Sequence, residues 1–175
     1  MKLVKLFLLI ISSLMFFAAC ELMKPKPEKP DYLISINEII KYPRASQLEK
    51  EIPTIAGTTK WISTSPYLFS NCIKKVEILP NEKDKNFCDL KLELNSRGKL
   101  LWNQLSADII YKEMGFVVND VLYRKLTSDM IEKDKERDDI IILKLKLDPV
   151  TAKSIAEFSE TNYIYYNPDE KKSAF

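Results

Sequence analysis

Along the middle of the chain, apolar and polar residues alternate with a period of two, and that alternation marks out strands before any other property is weighed. Residues 60–64 and 73–79 read as strands. In residues 89–94, Leu90, Leu92 and Leu94 alternate with Lys91 and Glu93, which turns three leucines onto one buried face. The period then changes. Asn95 or Ser96 offers a helix N-cap, and Leu101, Leu105 and Ile109 recur at helical spacing, so the pattern predicts a helix from Gly98 to about Ile110 that packs on the sheet. Residues 114–118 and 121–126 are apolar runs separated by Asn119-Asp120; both turn residues tolerate positive φ, which predicts a tight hairpin. A charged loop over 132–139 precedes a strand over 140–147. Asp148-Pro149 then pairs a capping carboxylate with a residue suited to the first helical turn. Ala152, Ile155 and Ala156 give that helix a narrow buried face, and 163–166 reads as a short edge strand whose tyrosines pack. Upstream, Ile36, Ile39 and Ile40 follow helical spacing over 36–42, interrupted by Pro43 and continued over 45–51. Strands and helices mix without a βαβα repeat, so the expected class is α+β: an antiparallel sheet with helices packed on one face.

The first residues follow another pattern. Lys2 and Lys5 precede an apolar run over 6–17, and Phe17-Ala18-Ala19-Cys20 resembles the lipobox of bacterial lipoproteins, where cleavage leaves a diacylglyceryl cysteine. At 1.5 Å per residue that run covers roughly 18 Å, short of a bilayer core of ~30 Å, which disfavours a permanent span. The alternative is an ordinary secretory signal beside an incidental cysteine. The expected organisation is a signal peptide over 1–19, a lipid anchor, stalk and short helical region over 20–58, one α+β domain over 59–167, and a polar tail over 168–175. Pro25, Pro27 and Pro30 favour an extended stalk of ~3.1 Å per residue. Glu21 stands where an aspartate would signal inner-membrane retention, so the expected address is the periplasmic face of a bacterial envelope, with the outer membrane favoured.

Composition narrows the chemistry. The formal net charge of +2 comes from Lys2 and Lys5 alone, so the mature chain is neutral and no nucleic-acid partner is expected. There is no histidine, which excludes Ser-His-Asp and Cys-His arrangements, HExxH zinc sites and histidine acid-base schemes. Three glycines, Gly57, Gly98 and Gly115, are too few and too scattered for a phosphate-binding loop. The 25 acidic residues offer carboxylate pairs, but most lie in solvated runs such as 132–139. No catalytic residue, cofactor, metal or small-molecule substrate is expected. Beyond the cytoplasmic membrane free thiols tend to oxidise, so a Cys72–Cys88 disulfide is expected. A hairpin closed by 80–86 would set Cys72 opposite a residue near Leu94, so the bridge requires the chain near Asn71 to fold back or a bulge; two unpaired cysteines are the alternative.

The order of elements over residues 61–158 resembles the head of the first periplasmic domain of SecD. Ser65-Pro66-Tyr67-Leu68 and the following Ile73-Lys74-Lys75-Val76 look like that family's Pro-Val-Leu segment and next strand. Leu90-Lys91-Leu92-Glu93-Leu94, Gly98, Trp102 and Leu105-Ser106 are similar to its strand, glycine, aromatic and Leu-Thr helix. The stretch from Phe116 through Asn119-Asp120 to Leu122 sits where the family has a strand, an Asp-Gly turn and a second strand, and Ala152 with Ile155-Ala156 matches its last helix. The resemblance implies a compact head able to contact polypeptides. SecD-like motors also carry transmembrane helices and a base domain that are not visible here, so proton-driven pulling is not implied.

The expected role is therefore a lipid-anchored, non-catalytic protein-binding domain, its partners being membrane lipid through acylated Cys20 and a protein. An immunity protein against an envelope-targeted toxin, and an export or envelope-assembly accessory, are the alternatives. The exposed candidates for the binding surface are the tip Asn119-Asp120 and the loops 80–86 and 132–139. Acyl chains contribute about 0.8 kcal/mol per buried CH₂. Cys20→Ser should accordingly release the protein from membranes or leave it unprocessed; a processed variant that stays fully membrane-bound in fractionation would contradict lipid attachment.

Overall fold

A computed structural model describes residues 29–44, 46–134 and 136–169. The fold is α+β, with antiparallel sheets and, among the described residues, two α-helices. The strands are β1 (Ile34–Glu38), β2 (Glu49–Pro53), β3 (Thr59–Ser63), β4 (Leu68–Phe69), β5 (Ile73–Pro80), β6 (Cys88–Leu94), β7 (Met114–Val118), β8 (Val121–Leu126), β9 (Ile131–Lys133) and β10 (Ile140–Leu147). The helices are α1 (Ser96–Asp108) and α2 (Pro149–Tyr166), with short 3-10 turns at Ser70–Cys72 and Ser128–Met130. Two four-stranded sheets form, ordered β4-β1-β7-β8 and β5-β6-β10-β9, together with a β2-β3 ribbon.

Burial explains this layering. Ile34 and Ile36 of β1, Met114, Phe116 and Val118 of β7, the three leucines of β6, and Ile141, Leu143, Leu145 and Leu147 of β10 share one core with Trp102 and Leu105 of α1 and Ala152 and Ile155 of α2. Each large side chain fully buried there contributes about 1.5–3 kcal/mol. The odd face of β7 lies in a second, smaller core of Ile39, Ile52, Ile62, Val117 and Leu122, where the β2-β3 ribbon covers the sheet. Gly115 faces this second core. A Cβ there would stand 2.5 Å from Leu122 Cδ1 and 3.2 Å from Ile39 Cγ1, so the close approach of these two apolar side chains leaves no room for one.

The hairpin and both helix starts take the expected form. Asn119 and Asp120 have φ of 46° and 62°, as a two-residue type I′ turn requires. Asn95 Oδ1 accepts from Gly98 N at 2.8 Å and Asp148 Oδ1 from Thr151 N at 2.8 Å, capping α1 and α2.

Several expectations need correction. Residues 36–42 are not helical: β1 pairs with β7 from Ile34↔Val118 to Glu38↔Met114, and β2 occupies part of 45–51. Ala45 lies outside the described residues. The packed unit thus reaches back to β1, well before residue 59. Residues 163–166 continue α2 instead of forming a strand, because Tyr163 is buried on the same face as Ile155 and Ser159. The charged segment 132–139 begins inside β9, which pairs with β10 as Ile142↔Glu132. β10 is not a regular alternation either: its register shifts between Leu143 and Leu147, where Lys146 takes φ of 50° and its N–H donates to the buried carboxylate of Asp89 at 3.1 Å.

The Cys72–Cys88 bridge is also absent, since both thiols are free. The ladder pairs Ile73 with Leu94 and Pro80 with Cys88, which sets the cysteines at opposite ends of β5. At ~3.3 Å per residue they are roughly 23 Å apart, against a disulfide limit of about 7 Å between Cα atoms.

α2 lies along the edge of β5, where Ser159 Oγ accepts from Val76 N at 3.2 Å and so occupies an otherwise open edge group. Its Asn162 clamps the chain at Asp31, accepting from Asp31 N at 3.2 Å and donating to Asp31 O at 2.7 Å. α1 is seated on the 3-10 turn through Gly98: a Cβ at that position would stand 2.7 Å from the Cys72 carbonyl oxygen. A backbone oxygen cannot swing aside, so Gly98→Ala should lose more through overpacking than the ~1 kcal/mol it gains in helix propensity. The expected net loss is about 1–2 kcal/mol, read as a lower denaturant midpoint with an unchanged slope; unaltered stability would mean that α1 is not held against this turn.

Candidate functional site

A groove of about 320 Å³ opens between the end of β1, the β3-β4 connection and α1. Glu38, Ser63, Ser65, Pro66, Tyr67, Leu101 and Gln104 line it. The connection is fixed from below. Asn37, buried on the face of β1 opposite Glu38, donates through Nδ2 to Ser63 O at 2.9 Å, and Ser65 N donates to Ser63 Oγ at 3.2 Å. Tyr67 N then donates to Ile36 O at 2.8 Å, which sets the ring beside α1.

Four side chains form a chain of polar contacts at the groove's margin. The Tyr67 hydroxyl donates to Asp108 Oδ2 at 2.6 Å and accepts from Lys112 Nζ at 2.8 Å. Lys112 also pairs with Glu38 Oε2 at 3.1 Å, lies 3.7 Å from Asp108 Oδ2, and sits 5.5 Å from the centre of the Tyr67 ring. Asp108 and Lys112 are one turn apart at the end of α1, so the helix terminus presents them together.

The electrostatics of Tyr67 and Lys112 reinforce the ordinary protonation of each. Burial, followed by the hydrogen bond to Asp108, pushes the Tyr67 phenol above its usual value. The hydrogen bonds of Lys112 to Tyr67 and then to Glu38 raise its ammonium well above the normal lysine range. At neutral pH the phenol stays protonated and the amine stays charged, so Tyr67 both donates and accepts hydrogen bonds there and Lys112 donates them.

The residues singled out in the sequence stand elsewhere. Cys20, the signal segment and the tail beyond Asp169 lie outside the described residues, as does the stalk up to residue 28. Cys72 is buried, and that burial raises its thiol pKa; Cys88 is half-buried at the far end of β5. The three exposed candidates satisfy themselves. Asn119 holds the incoming chain, its Oδ1 accepting from Leu33 N at 2.8 Å, while Asp120 pairs with Lys50 at 2.5 Å. In the 80–86 loop Asn81 Oδ1 accepts from Lys83 N and Asp84 N, and beyond β9 Asp134 Oδ1 accepts from Glu136 N and Arg137 N. The groove was not singled out. Its lining residues come from three separate segments, and only the Asp108/Lys112 spacing at its margin is a local signal.

Among the described residues no group of histidine, cysteine, aspartate or glutamate side chains is placed to hold a metal ion, and no helix is long and apolar enough to cross a membrane. No protein-family model and no curated protein matches this chain. Its fold is similar to that of a solved SecDF, described as a membrane component that enhances protein export, with a TM-score of 0.51 at 11% identity over 75% of this chain and 63% of that one. A crystal structure of SecDF in a super-membrane-facing form aligns with a TM-score of 0.49 at 10% identity over 77% of this chain and 19% of that one. The chain spans less than two thirds of either protein's length. The first likeness gives a SecD-like fold, in agreement with the resemblance read over residues 61–158.

The raised phenol has a measurable sign. A group whose folded pKa is raised contributes stability that is fully present below its unfolded value, about 10 for tyrosine, and lost as pH rises through the folded value. Subtracting the alkaline absorbance titration of Tyr67→Phe from that of the unaltered protein should isolate one phenol titrating above about 10. A difference curve centred at or below the ordinary tyrosine value would show that the burial of the phenol and its Asp108 contact are not maintained.

Proposed function

We propose that this chain is a lipid-anchored envelope protein whose domain binds polypeptide without catalysing a reaction, the groove beside Tyr67 being the docking surface. The observation that carries this reading is the groove itself. It is open, it combines Leu101, Pro66 and the tyrosine ring with the hydrogen-bonding groups of Ser63, Ser65 and Gln104, and the phenol of Tyr67 and the Lys112 amine at its margin stay protonated at neutral pH. Such a lining suits the mixed apolar and amide surface of an extended chain. Attachment through Cys20 would place the domain on the periplasmic side of the envelope. Because the SecDF component of similar fold enhances protein export, an accessory role in export or envelope assembly is the preferred setting.

A photo-crosslinking residue in place of Gln104 tests this in living cells, with Lys153 on the exposed side of α2 as the control position. Adducts with exported polypeptides should form at Gln104, disappear when secretion is blocked, and be absent at Lys153. Equal labelling at the two positions would argue against the groove. Adducts that persist with secretion blocked would keep the binding role and remove the export setting.

A further inference from the structure

Beside the groove, on the same end of the molecule, lies a cationic patch with exposed aromatic neighbours. β1 continues past Glu38 against β3: Ile39 bridges Ile62, and Ile40 N donates to Trp61 O at 2.8 Å. Lys41 and Lys60 follow this bridge on the two facing segments; both are exposed, and neither makes an ion pair among the described residues. Both act on the charge of Glu113, but that carboxylate is already paired with Lys125 at 2.8 Å. Three lysines therefore converge on one acid.

Large apolar side chains project around this patch. Tyr42 is 78% exposed, Ile110 71% and Tyr111 87%, and the Lys41 ammonium lies 5.5 Å from the centre of the Tyr42 ring. Ile110 and Tyr111 form a knuckle just before Lys112, which turns to the groove, and Glu113, which turns to the lysines. The groove and the patch thus flank a single projection. Tyrosines exposed beside unpaired cations resemble the centre of a protein interface more than an ordinary solvated surface.

Resting on the reading of the groove as a polypeptide site, we propose that this end of the molecule docks an extended acidic segment of a partner protein, carboxylates over Lys41, Lys60 and Lys125 and an apolar side chain against Tyr42 or Tyr111. Charge complementarity selects the acidic segment: exposed Lys41 and Lys60 join Lys125 around a single acid, Glu113, which Lys125 already pairs. Two observations favour a polypeptide over an anionic lipid surface. The adjoining groove offers hydrogen-bonding partners for peptide amides, and the patch lies at the opposite end of β1 from Asp31, where the chain from the expected anchor enters.

The full chain in neutral detergent, mixed with a fluorescein-labelled peptide of alternating aspartate and tyrosine, provides the test. Anisotropy should show binding that weakens with added salt and exceeds that of a lysine–tyrosine peptide. Lys41→Glu combined with Lys60→Glu should weaken it at least about tenfold, a difference of about 1.4 kcal/mol, and the glutamine pair should give a smaller loss that also guards against misfolding. Lys153→Glu should bind as before. The proposal is overturned if the acidic and basic peptides bind alike, if the charge-reversed protein binds undiminished, or if anionic phospholipid vesicles are bound and the acidic peptide is not. Any of these results beside intact crosslinking at Gln104 removes only the acidic partner; loss of that crosslinking removes the groove as well.

Discussion

The structure depends on a strand buried on both faces. β7 places Met114, Phe116 and Val118 in the main core and Val117 in the smaller one, and all five of its residues are buried. A strand in that position needs hydrogen-bonded neighbours on both edges and a cover on each face. β1 and β8 supply the edges; the second sheet with its helices covers one face and the β2-β3 ribbon the other. The ribbon therefore is not a peripheral ornament. Without it Ile39, Val117 and Leu122 would face water, and the tight fit around Gly115 would have no reason to exist.

That same constraint explains what was legible in the sequence and what was not. Strands with one buried face, such as β6, announce themselves by alternation, because polar residues mark the solvent side. β1 faces both cores, so Ile34 and Ile36 point one way and Ile39 the other. Apolar residues on both faces break the period of two, and the resulting spacing of Ile36, Ile39 and Ile40 imitates a helix. Local turn chemistry was readable because it is decided by neighbouring residues: Asn119-Asp120 and Asp148-Pro149 needed no tertiary information. The cysteine pairing was not readable, since a compartment favours oxidation but only the β5-β6 register sets the separation. The groove was least visible of all, because Glu38, Tyr67 and Lys112 meet only after β1, β4 and β7 have paired.

The pairing of β1 with β7 also gives the molecule two chemically different ends. At the start of β1, Asp31 is held by Asn162 of α2 and, through its carboxylate, by Asn119 Nδ2 at 2.7 Å. Tyr32 adopts φ of 48° there, a conformation costly for a bulky residue, and its ring stacks on Phe158 at 5.8 Å between centroids. The contacts that fix this junction come from a hairpin tip and a helix distant in sequence, so the entering chain is tied to the body of the fold and does not merely extend from it.

Because β1 and β7 are antiparallel, the turn that grips Asp31 and the segment 110–113 must lie at opposite ends of one ladder. The hairpin tip spends Asn119 Oδ1 and an amide N–H on holding the entering chain, while the other end keeps Tyr42, Tyr111, Lys41 and Lys60 exposed. Division of labour along the strand follows from register alone. The end with satisfied polar groups supports the fold, and the end with exposed lysines and rings is the one we propose for docking a partner.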